Sequence, residues 1–205
     1  AEPHARGGAA APPGAGGAEV KRLALAKLVK QRLRADDLVV CGLGATEAAF
    51  KEAAPVNPTY YASDPMGLWA SIALGLALAR PERRVTLLAG VGDLLMNLQV
   101  LATIATAPVK NFRIVVFHNG TYSSTGGQPL TGKVSYAAVA AGAGFDWALE
   151  AKDEAEAAKR LDELFARIGP ALLDVRLEDE PCPAVPAGPL SQVEERTLFM
   201  SKIAR

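Results

Sequence analysis

Two cysteines and two histidines in 205 residues leave little material for a disulfide framework or a soft-metal centre. Cys41 falls in an apolar run and Cys182 sits between prolines, at no metal-binding spacing, so a reducing cytoplasm is the expected setting. Charge of one sign is also missing. The 22 basic residues balance 22 acidic ones, which removes the electrostatic case for nucleic acid or an anionic membrane as partner. A local positive site for a small anion is still compatible with that balance. The most apolar stretch, 67–79, is shorter than the roughly 20 residues a membrane span needs. Residues 1–18, rich in Ala, Gly and Pro, carry no apolar segment of the secretion-signal kind and read as a disordered tail or a severed linker.

What is present is one core's worth of apolar residues. Half of the chain is hydrophobic, enough for a single α/β domain with a short appendage. Residues 19–34 place Val20, Leu23, Leu25, Leu28, Val29 and Leu33 on a helical stripe with a basic outer face. A buried strand at 38–41 runs into the turn Gly42-Leu43-Gly44-Ala45-Thr46. That turn lacks the third glycine and acidic partner of a dinucleotide fingerprint. A short helix over 47–53 follows, with Glu47 on its surface, then a β-prone run at 59–62 and an apolar helix over 66–80.

After the centre of the chain, an Ala-rich helix over 135–143 closes at Gly144, and a strand is expected at 145–149. Asp153 and Glu156 form a capping-box pattern for a helix over 153–168, stopped by Gly169-Pro170. A last strand follows at 172–177. Strands alternating with helices predict a three-layer, doubly wound parallel sheet of the α/β class over 19–178. Residues 179–205 read as a Pro-rich tail ending in a helix over 190–203.

The centre, 85–127, is the most informative part. A strand over 85–89 enters Gly90-Val91-Gly92-Asp93 and then a helical pattern over 94–104. A second strand, 112–117, ends in His118-Asn119-Gly120-Thr121-Tyr122-Ser123-Ser124-Thr125-Gly126-Gly127. In a parallel sheet both turns lie at the carboxyl edge, where helix N-termini offer N–H groups to phosphate. Read alone, Asn119-Gly120 is a plain turn, the 123–127 run a solvated loop, and Met66 a core filler. His118 has no identifiable acid–base partner.

These residues resemble the diphosphate-binding half of thiamine-diphosphate enzymes, with their Gly-Asp-Gly, helix, strand and Asn-containing turn. Leu94-Leu95-Met96-Asn97-Leu98, Leu101-Ala102-Thr103-Ile104-Ala105 and the run from Asn119 to Pro129 are similar to the small subunits of phosphonopyruvate and sulfopyruvate decarboxylases. Met66-Gly67, followed by the small and apolar residues 71–79, fits the same family, and the likeness extends from about Val20 to Leu177. The resemblance implies thiamine diphosphate and Mg²⁺ as cofactors, bound around Met66, Gly67, Gly90, Gly92, Asp93, Leu94, Asn119, Thr121 and Tyr122. It implies metal ligation at Asn119, at the Thr121 carbonyl and at a carboxylate in the Gly90 turn, with Met66 as the apolar wedge beneath the thiazolium. It further implies a homodimerising diphosphate-binding subunit of a 2-oxoacid decarboxylase, and a partner subunit whose pyrimidine-binding domain brings the catalytic Glu. No catalytic residue is assigned within this chain.

Two departures accompany the match. An ungapped fit puts Val91 where the family has its metal-binding Asp, and valine offers no oxygen to a hard cation. Asp93 is the alternative ligand, and as an N-cap of the following helix it would compete with an incoming anion. Asp64-Pro65 stands where the family has Gly-Ser, removing a backbone donor. Two alternatives follow: a non-catalytic or regulatory subunit that keeps the fold, and an unrelated nucleotide-binding domain sharing only its geometry.

Overall fold

The computed structural model describes residues 19–62, 65–130, 132–183 and 190–204. The expected tail 1–18 and Asp64 lie outside the described residues. Among the described residues eight strands form: β1 (Leu38–Cys41), β2 (Thr59–Tyr61), β3 (Val85–Gly90), β4 (Phe112–His118), β5 (Thr121–Tyr122), β6 (Gln128–Pro129), β7 (Trp147–Ala151) and β8 (Ala171–Arg176). Six of them make one parallel sheet in the order β2-β1-β3-β4-β8-β7, while β5 and β6 pair as a small antiparallel hairpin.

The sheet is covered on both faces, which is why β1, β3 and β4 read as continuous apolar runs rather than alternating ones. Alternate residues of each strand feed different cores. Val40, Leu87, Ile114 and Val116 join one cluster with helices α3 (Trp69–Ala79), α4 (Val91–Met96), α5 (Val100–Thr106) and α6 (Tyr136–Ala143). Val39, Leu88, Val115 and Phe117 join the other with α1 (Arg22–Lys30), α2 (Ala45–Glu52) and α7 (Glu154–Ala166). The final helix, α8 (Gln192–Ile203), covers the exposed side of the β2 edge. Its Phe199 ring lies 5.6 Å from that of Tyr60, and Arg80 Nε donates to the Ile203 carbonyl at 2.9 Å.

Several expected elements shift for local reasons. The helix predicted over 94–104 is two helices, because Asn97 leaves helical geometry (φ −143°, ψ 52°) and its amide donates to the Gly67 carbonyl at 2.7 Å. The helix expected from Met66 starts at Trp69, since Gly67 adopts φ +90°, a left-handed conformation outside any helix. The strand expected at 145–149 pairs two residues later, as β7. Asp153 does cap α7, accepting from Glu156 N–H at 2.8 Å, but the Glu156 carboxylate reaches Lys152 N–H, one residue before the cap.

The order of strands decides where a ligand can sit. From β1 the chain moves outward to β2, then crosses back to β3 on the other side of β1. The segments leaving β1 and β3 therefore diverge, α2 onto one face and α4 onto the other. A crevice opens between them at the carboxyl edge, the switch point at which open α/β sheets bind ligands.

Gly42 packs against the ring of Trp69, a residue that lines this crevice. A Cβ there would lie 2.6 Å from Trp69 Cζ3, a ring that is itself buried. Gly42→Ala is expected to lower unfolding stability by about 1–3 kcal/mol through overpacking. Gly75→Ala, in the middle of α3 with open space around it, is expected to raise stability by about 0.5–1 kcal/mol. Urea unfolding of both variants checks the pair of opposite signs.

Candidate functional site

Three loops meet at the crevice: 42–46 after β1, 90–93 after β3 and 119–125 after β4. Their close approach demands small residues. A Cβ at Gly44, where φ is +76°, would fall 2.3 Å from Ser124 Oγ, and one at Gly92 would fall 2.5 Å from the Tyr122 ring and 3.4 Å from Met66 Cε. Gly90 is the N-cap of α4. The cleft therefore lies at the start of both α2 and α4, and its lining includes Met66 and the hydroxyl-bearing residues of the β4 loop.

That loop is internally ordered. The Asn119 amide donates to Thr121 Oγ1 at 2.8 Å and also to Ser123 Oγ. Both amide hydrogens are thereby used, which fixes Oδ1 as the outward acceptor, with only a long 3.4 Å bond from Thr121 N–H. Asn119 thus presents an oxygen to the cleft.

Asp93 is the unusual member. It is 2% exposed, forms no ion pair with a described cation, and accepts one hydrogen bond, from Gly67 N–H at 2.5 Å. Burial raises its pKa from 3.8 to about 6, the Gly67 bond offsetting part of the effect. The expected N-cap role does not hold, because Gly90 takes that position and Asp93 stands two residues inside the helix, turned toward the 66–67 loop. Together with Asn97 it holds both backbone groups of Gly67, and so sets where Met66 stands.

Val91 is 1% exposed, packs in the core and also borders the cleft. Its carbonyl accepts from the Tyr136 hydroxyl at 3.0 Å. Burial, then the Asp174 charge, pushes the Tyr136 phenol above its ordinary range, so the hydroxyl remains a donor. Beneath it, Asp174 accepts from Tyr136 N–H at 3.2 Å and contacts His118 Nδ1 at 2.8 Å. Arg176 Nη1 lies 2.7 Å from His118 Nε2. An arginine only donates, so Nε2 accepts and the ring proton sits on Nδ1, facing Asp174. His118 thus has a buried partner that the sequence concealed, and it points away from the cleft lining.

Of the residues expected to bind cofactor, Met66, Gly90, Gly92, Asp93, Asn119, Thr121 and Tyr122 line the cleft, and Gly67 is tied to it through Asp93. Leu94 does not: its side chain is buried in the core. The sequence reading missed Arg22, which lines the cleft from α1 while 6% exposed. A signal existed, since Arg22 shares a helix face with Leu25, Ala26 and Val29 at i+3, i+4 and i+7, all of them buried.

The donor set is tested by its chemistry. No cluster of three or more His, Cys, Asp or Glu side chains suited to a metal exists among the described residues. The residues lining the cleft include Asp93, Asn119 and Thr121, which carry oxygen donors of the hard kind that Mg²⁺ accepts with added water or phosphate oxygens. A buried carboxylate with no cationic partner is the kind of group a bound cation would satisfy. The residues present fit a diphosphate and a hard divalent ion.

Because the carboxyl of Asp93 binds its proton more tightly in the folded state, folding takes up protons between about pH 3.8 and 6. In the cofactor-free chain stability should therefore fall as pH rises through that window and level off above it. Asp93→Asn is expected to be more stable than the parent at pH 8, by on the order of 2–3 kcal/mol, with the gap closing below pH 4. Thermal unfolding of both proteins across pH checks the sign.

Comparison with known proteins agrees with this geometry. The family described as thiamine pyrophosphate enzyme, C-terminal TPP binding domain, matches residues 42–175, well over half of the chain. The β subunit of sulfopyruvate decarboxylase from Methanothermobacter thermautotrophicus is 38% identical over 112 residues, covering 54% of this chain and 60% of that one. Phosphonopyruvate decarboxylase from Streptomyces viridochromogenes is 34% identical over 134 residues, covering 65% and 34%. The chain thus spans 60% of the first relative's length and about a third of the second's. Among solved structures, the thiamine diphosphate-dependent 4-hydroxybenzoylformate decarboxylase of Rhodococcus jostii superposes with a TM-score of 0.70 at 22% identity, over 84% of this chain and 35% of that one. That likeness is one of fold. An unrelated nucleotide-binding domain is thereby excluded, and the chain belongs to the thiamine pyrophosphate enzymes through their C-terminal, TPP-binding domain.

Proposed function

We propose that this chain is the diphosphate-binding subunit of a two-component thiamine diphosphate-dependent 2-oxoacid decarboxylase, of the sulfopyruvate or phosphonopyruvate kind. The observation that carries the reading is the cleft itself. The Gly90 turn, the Asn119 loop and Met66 converge at the switch point of the sheet. The curated relatives above are decarboxylases, and one is a β subunit, which supports activity with a partner and weighs against a non-catalytic role.

In this reading the N-termini of α2 and α4 face the diphosphate, and Asn119 Oδ1, the Thr121 carbonyl and the Asp93 carboxylate hold Mg²⁺. When bound, thiamine diphosphate supplies the electron sink for loss of carbon dioxide from the 2-oxoacid. The chain's own part is positional. Asp93 and Asn97 hold the Gly67 backbone, so Met66 is presented to the cofactor from a fixed loop. Tyr136 holds the Val91 carbonyl and with it the turn that receives phosphate. Among the described residues the cleft has no carboxylate besides Asp93, so the activating Glu is assigned to the pyrimidine-binding partner. The functional unit is 19–178, with 179–205 as an appendage, in a homodimer with partner subunits. Both cysteines are unpaired, in keeping with a reducing cytoplasm, and no described helix is long and apolar enough to cross a membrane.

Calorimetric titration with thiamine diphosphate tests the assignment. Binding is expected to require Mg²⁺, to vanish with a chelator, and to tighten when the partner subunit is co-expressed. Asn119→Ala is expected to weaken it tenfold or more, about 1.4 kcal/mol. A folded protein that assembles with its partner and still fails to bind would overturn the assignment.

A further inference from the structure

Arg22 is the one basic side chain lining the cleft among the described residues, and its surroundings are unusual for a guanidinium. It is 6% exposed. Its Nη1 and Nη2 donate to the carbonyls of Pro181 and Glu180, at 3.3 and 3.0 Å. The nearby Glu180 carboxylate accepts the Arg22 backbone N–H at 2.8 Å instead. None of the ion pairs among the described residues includes Arg22.

Two neutral carbonyls satisfy hydrogen bonds without neutralising a charge. Arginine presents a planar fork of donors suited to an oxyanion, and an added anion supplies the opposite charge that carbonyl oxygens do not. The fork is already oriented by the 180–181 carbonyls, so little side-chain freedom remains to be lost on binding an oxyanion. The β4 loop adds hydroxyl groups at Ser123, Ser124 and Thr125 along the same cleft.

We infer that Arg22 is the oxyanion receptor of this cleft, completing its charge with a tetrahedral phosphoryl, phosphonyl or sulfonyl group brought by a ligand. The inference rests on the cleft being the ligand site proposed above. Two ligands carry this chemistry: the diphosphate of the cofactor and the acidic tail of a phosphonate or sulfonate 2-oxoacid.

The test uses the full chain with inorganic pyrophosphate and with methylphosphonate as separate probes, read by calorimetry and by the shift of the thermal midpoint. Arg22→Met is expected to weaken binding of at least one probe tenfold or more and to erase its thermal shift, while Arg22→Lys retains part of both. Loss confined to pyrophosphate supports the inference with the cofactor as source, and loss confined to methylphosphonate supports it with the substrate tail. Should Arg22→Met release the 180–181 segment and unfold, the wild-type chain still answers. Its Arg22 Nε–H resonance, assigned through Arg22→Lys, should move on addition of the anion. A resonance unmoved by saturating concentrations of both probes, or variants that bind both as the parent does, would overturn the inference. Because these probes lack the thiamine ring, their result is independent of whether thiamine diphosphate itself binds, so the two readings fail separately.

Discussion

The reversal of strand order at β1 is the constraint on which the rest of this molecule depends. A parallel sheet whose chain grew in one direction only would send every connecting helix to one side. Here β1 has β2 on one flank and β3 on the other, so the loops after β1 and β3 part company and leave a crevice that no side chain of the sheet can fill. The crevice forms at the carboxyl edge, where the first turns of α2 and α4 expose unpaired N–H groups. A polar ligand is thus invited by topology before any specific residue acts.

Holding that edge open requires buried polar bonds. The Tyr136 hydroxyl meets the carbonyl of Val91, and the Asp174 carboxylate meets both Tyr136 N–H and His118. These join α6, β4, β8 and the Gly90 turn into one unit, so the turn is not free to collapse into the space beside it. From the same segment, Asp93 and, just beyond it, Asn97 grip Gly67. A buried charge in that position costs stability, as its raised pKa records. Stability given up at a site, with no gain to the surrounding core, is the usual mark of a ligand's place.

Most of the fold was legible in the sequence. The apolar runs of β1, β3 and β4, the Ser135 and Gly144 ends of α6 and the Asp153 cap of α7 are local signals, and local physics produces them. The misreadings came where distant residues intervene. Leu94 through Ile104 has uninterrupted helical periodicity, yet Asn97 leaves the helix to bond Gly67, 30 positions away. Asp93 has the residue type of an N-cap and serves instead as a tether to another loop.

The sequence by itself determined the class of fold, the two glycine turns and the family, because periodicity and turn chemistry are properties of neighbouring residues. Only the tertiary structure decided which polar groups are buried and what they face. Val91 became core, His118 gained Asp174, and Arg22 was carried from a nominally basic helix face into the cleft, where no ion pair among the described residues includes it. The physical reason is that desolvation and charge compensation depend on everything within a few ångströms, and at this site those neighbours come from helices, strands and loops far apart in the chain.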